Sequence, residues 1–200
     1  MRIKSQWFND DKPKTAKQSA SVMAFIAWRL AQNAVKQMRG AQFDIDPGPQ
    51  YFAFLREFLV FLLQVTDRIA YAKLEGDYRA EFTTALVIRV AEILEENEDT
   101  LLGAPAEKSY QNRFIDLFNA RSADYATMSY GEGGSDFPFL RYLGNQVMHI
   151  MPRKDQSWVI DQIMEIEVPE AMKALRRTLD GLFAPDVSRT ARTRGELAGE

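Results

Sequence analysis

The chain has 200 residues, 46% of them hydrophobic and 12% aromatic, enough for one sizeable core and too apolar for global disorder. Its net charge of −3 gives no overall electrostatic case for a nucleic-acid partner. The absence of cysteine excludes disulfides, thiolate metal sites, iron–sulfur clusters and cysteine nucleophiles together.

The opening residues, MRIKSQWFNDDKPK, carry no apolar stretch of signal-peptide length. Residues 1–13 read as a polar N-terminal arm with one aromatic pair, Trp7-Phe8, able to dock. A single helical domain is expected over 14–184, and a loosely ordered tail over 185–200, where aromatics and periodicity both stop.

From Thr15 to Arg39 the apolar residues recur at helical spacing, with Met23, Ala27, Leu30 and Ala34 on one face and Arg29, Asn33 and Lys36 on the other. Gly40 fits the left-handed position that ends such a helix. Asp46-Pro47-Gly48-Pro49 then signals a turn and a new helix start.

The next segment, from about Pro49 to Glu75, is the most apolar of the chain. At 100° per residue its Phe, Leu, Val and Ile side chains cover more than half of the circumference, so other helices are expected to surround it. A narrow stripe of Arg56, Glu57, Gln64, Asp67 and Arg68 is its polar remainder. Gly76-Asp77 is expected to stop it, and a third helix follows from Asp77 to about Glu98, closed by Leu101-Leu102-Gly103-Ala104-Pro105. Short connections between these helices favour antiparallel neighbours.

Residues 106–129 carry Tyr110, Phe114, Phe118 and Tyr125 at helical spacing. A glycine-rich loop, 130–136, precedes a helix from Phe137 to Met151 that Ser135 or Asp136 can cap. A further helix from about Asp155 is expected to stop near Val168-Pro169, with a last one from Pro169 to Phe183. No stretch alternates with period 2 for long enough to build a sheet. The fold class is therefore all-α: a single-domain bundle of six or seven mostly antiparallel helices around a buried 49–75 helix.

Candidate chemistry is sparse. His149 is the only histidine, so the two Glu-x-x-His motifs of a dimetal bundle and a three-histidine zinc site are both excluded. It shares the polar side of its helix with Arg141 and Asn145. Glu81, Glu92 and Glu96 could supply oxygen ligands, but they lie on a solvent-facing stripe, and no metal or other cofactor is expected. Gly131-Glu132-Gly133-Gly134 lacks the Lys-Ser/Thr of a phosphate-binding loop. Arg189, Arg192 and Arg194 in the tail are diluted by Glu196 and Glu200.

The remaining ligand-binding candidates are Asp67 and Arg68 with Arg29 and Arg89 on neighbouring helices, joined by His149. Together they would form a polar cluster able to hold a small molecule. Two functions from different classes are expected from these observations. One is a non-enzymatic interaction or scaffold protein, a cytoplasmic homodimer without membrane contact, using surplus aromatics such as Phe25, Trp7 or Phe8. The alternative is a small-ligand or metal-binding bundle, including a carboxylate-based metal-dependent phosphohydrolase.

Overall fold

A computed structural model describes residues 14–105, 108–131 and 134–184. The Trp7-Phe8 arm and the arginine-bearing tail lie outside these residues. Helix α1 spans Ala16–Gly40 and begins with a reciprocal capping box: the Thr15 hydroxyl accepts the Gln18 N–H, and Gln18 accepts the Thr15 N–H. The chain leaves α1 through Gln42, whose φ of 69° takes the left-handed conformation expected of Gly40.

Helix α2, Pro49–Tyr71, is the central post. Every residue from Glu57 to Thr66 is buried, and the helix packs against α1, α3 (Gly76–Leu102), α4 (Tyr110–Ala126), α5 (Phe137–Ile150) and α7 (Val168–Leu182). Phe54, Phe58 and Phe61 form a run of ring contacts along it that continues into Phe139 of α5. Burying apolar surface on all sides is what so wide an apolar face requires.

Three helix boundaries around the α2–α3 turn and the end of α3 differ from expectation. Helix α2 ends four residues early, because the N–H groups of Lys73 and Leu74 both turn back to the Ala70 carbonyl. Gly76 opens α3 instead of separating the helices, and α3 runs past Glu98 to Leu102. The extra turn follows from packing: Glu98 is fully buried against Arg56 and sits inside the helix. Gly103, with φ 81°, ends it.

The 130–136 connection pairs Tyr130 with Ser135 and Gly131 with Gly134 as a minimal antiparallel ladder. Asp136 is the N-cap of α5. Gly144 of α5 lies against α6 (Gln156–Gln162) so closely that a Cβ there would sit 3.0 Å from Ile160 Cγ2.

The expected break at Val168-Pro169 is absent. Helix α6 passes through a π-helical turn, Ile163–Glu167, directly into α7, so the last rod is continuous. Pro169 cannot donate a backbone hydrogen bond. The wider turn before it, in which the Val168 N–H bonds Ile163 C=O, carries the chain into α7. Six helical rods make up the bundle among the described residues, none of them long and apolar enough to cross a membrane.

That π turn ends on a buried carboxyl. Glu167 accepts from Gln162 Nε2 at 2.9 Å, while its Oε2 has no partner among the described residues. Burial raises its pKa, the Gln162 bond opposes this, and Glu170 adds to the rise. A carboxyl that titrates higher folded than unfolded favours the fold most when protonated, below about pH 4. That contribution is lost as pH rises through the folded value. Glu167→Gln should therefore be more stable than the wild type at pH 7, with the gap closing towards pH 4. Melting curves at the two pH values check this; a gap of equal size at both would contradict it.

Candidate ligand cleft beside the central helix

The polar stripe of α2 is covered over much of its length. Each of its side chains has a specific partner on α3 or α4. Arg56 pairs with Glu98, and Glu57 receives a forked pair of bonds from Arg121, with Nη2–Oε1 at 2.7 Å. Gln64 Nε2 donates to Ser122 Oγ at 2.6 Å, Asp67 is held by Arg79, and Arg68 Nη2 donates to the Tyr125 carbonyl at 3.0 Å. A polar seam thus runs the length of the post under α3 and α4.

The upper part of the seam is closed. Arg121 bonds Gln146 of α5 as well as Glu57, and its guanidinium lies 5.9 Å from the Tyr142 ring centre. The Glu57 carboxylate stabilises the arginine's charged form and raises its pKa, against the cost of burial. Tyr142 donates to Asp124. Burial, with that bond, pushes the Tyr142 hydroxyl up to about 12. Tyr125, buried against Phe139 and Tyr142, is raised well above the ordinary tyrosine value by desolvation.

The lower end is open. Between α2, α3 and the end of α4 lies a cleft of about 610 Å³, lined by Asp67, Arg68, Arg79, Thr83, Phe118 and Ser122 among others. Asp67 accepts Arg79 Nε at 3.0 Å, Arg79 Nη2 at 2.5 Å and Thr83 Oγ1 at 2.8 Å. The Arg79 guanidinium also stacks over the Tyr71 ring, 4.9 Å from its centre. Tyr71 stands exposed at the rim.

Of the residues singled out from the sequence, Asp67 and Arg68 share this cleft. Arg89 lies in a neighbouring groove of about 700 Å³ with Lys17, Glu81, Ile88 and Glu92, and pairs with Glu92 at 2.6 Å. Arg29 lines a third depression of about 300 Å³ with Phe25, Trp28 and Glu96. His149 is exposed in the last turn of α5, where a basic side chain suits the helix dipole. Its place is apart from all three. No three His, Asp or Glu side chains converge to hold a metal ion among the described residues.

Sequence periodicity missed Arg79, Thr83 and Ser122. For Arg79 a signal existed: Asp67 and Arg79 are each six residues from Lys73, at the reversal between two antiparallel helices, so they meet across the turn. Comparison with protein-family models, curated proteins and solved structures finds no match.

Proposed function

We propose that this protein is a small-ligand-binding helical bundle whose site is the cleft between α2, α3 and the end of α4. The observation that carries the reading is the coexistence of an open cleft and fixed charge. Arg79 and Asp67 are locked together on its wall, and Arg68 is anchored beside them through Tyr125. Concave sites with a few oriented polar groups and apolar walls are where small molecules bind. Phe118, Ala80 and Ala126 supply the apolar walls.

Ala126 is exposed, so Ala126→Trp fills the cleft mouth without touching the core. A ligand-observed NMR screen of a metabolite-sized library should give hits on the wild type that disappear in Ala126→Trp. Circular dichroism should show the variant's helix content unchanged. A screen without hits, or hits indifferent to the filling residue, contradicts the proposal.

A second reading, homodimerisation, is favoured by a separate observation: Trp158 is 70% exposed and Phe137 66% exposed. Large exposed apolar groups commonly mark association surfaces. Phe25 is half-buried, with the Arg29 guanidinium 6.0 Å from its ring centre, and so offers less free apolar surface than these two. Light scattering at micromolar concentration should give twice the 22.9 kDa chain mass. Trp158→Ser should return it to one chain. A wild-type mass of one chain contradicts this second reading.

A further inference from the structure

We infer that the ligand of the α2/α3/α4 cleft is a small organic monocarboxylate with an apolar body, an inference that rests on the cleft being a ligand site. Charge comes first. Two arginines against one aspartate leave one positive charge in excess on the lining. Asp67 already accepts three hydrogen bonds from Arg79 and Thr83, so its carboxylate is committed to the protein.

Arginine geometry comes next. Arg79 gives Nε and Nη2 to Asp67 and its face to Tyr71, which leaves Nη1 without a protein partner among the described residues. Arg68 spends Nη2 on the Tyr125 carbonyl and likewise keeps Nε and Nη1. Both guanidinium groups are held before a ligand arrives, so little side-chain freedom is lost on binding. Planar guanidinium donors match the two oxygens of a carboxylate.

The far wall separates a carboxylate from a phosphate ester. Tyr125 and Ala126 end α4, and the C-terminal end of a helix carries partial negative charge. A monoanion balances the single excess positive charge. A dianion would add a second negative charge beside that helix end. Phe118, Ala80 and Ala126 offer no hydrogen-bonding side chain, and Gln64, Thr83 and Ser122 spend theirs on protein partners, so beyond the hydroxyls of Thr84 and Tyr71 the walls left for the body of the ligand are apolar.

Four probes of one shape test this by protein-observed NMR titration: 3-phenylpropionate, 3-phenylpropanol, 3-phenylpropylamine and 2-phenylethyl phosphate. The propionate is expected to bind about tenfold or more tightly than each of the others, the gain of a charge-assisted hydrogen bond. Arg68→Gln should erase that preference, weakening the propionate about tenfold more than the alcohol. Arg79→Lys, which retains a cation for Asp67, should weaken the propionate alone.

Equal or tighter binding of the alcohol, amine or phosphate in the cleft overturns the carboxylate assignment and leaves the cleft a ligand site. Failure of all four probes also overturns the assignment. The library screen with Ala126→Trp then decides independently whether the cleft binds anything.

Discussion

Leu62→Ala should lower the free energy of unfolding by about 2–5 kcal/mol, the range for deleting a buried leucine side chain that leaves a cavity. Leu62 is wholly inaccessible at the middle of α2, a helix enclosed by five others, so little can collapse into the space. Urea denaturation of wild type and variant measures the loss from the midpoint at constant slope. A loss below ~0.5 kcal/mol, the scale of an ordinary surface substitution, would contradict the enclosed central post.

The second large effect is expected from Arg121→Met. It leaves the Glu57 carboxylate, buried in the seam, without its forked partner. Removing one member of a buried pair costs ~3–5 kcal/mol, and the partial exposure of Arg121 reduces this to about 2–4 kcal/mol. Glu57→Gln combined with Arg121→Met should recover most of the loss, because the stranded charge is gone. A double mutant as unstable as the single one would mean that Arg121 acts through packing against Tyr142.

The architecture was legible in the sequence because its strongest signal, the apolar girth of residues 51–71, has one structural solution: enclosure by other helices. The stop at Gly103 was local chemistry of the same legible kind. The polar stripe of α2 was visible too, but its meaning was not. Periodicity places Arg56, Glu57, Gln64, Asp67 and Arg68 on one face without saying what covers that face. Their partners lie between 12 and 64 residues further along the chain, on α3 and α4.

The same limit split the expected site. Arg29, Arg89 and the Asp67–Arg68 pair each occupy a polar face, yet the helix rotations direct them into three separate depressions. At Pro169 a local rule misled, because proline ends an α-turn but tolerates a helix widened upstream.

On the proposed function, small molecules enter the bundle between α2, α3 and the end of α4. Backbone amide shifts of isotopically labelled full-length protein, titrated with the hits of the library screen, test it most directly. The largest shifts are expected at Gln64, Arg68, Thr83 and Ser122, saturating together with one affinity per ligand. Shifts centred on His149, on the Arg29 depression or on the Trp158 surface, with those four amides unmoved, would contradict it.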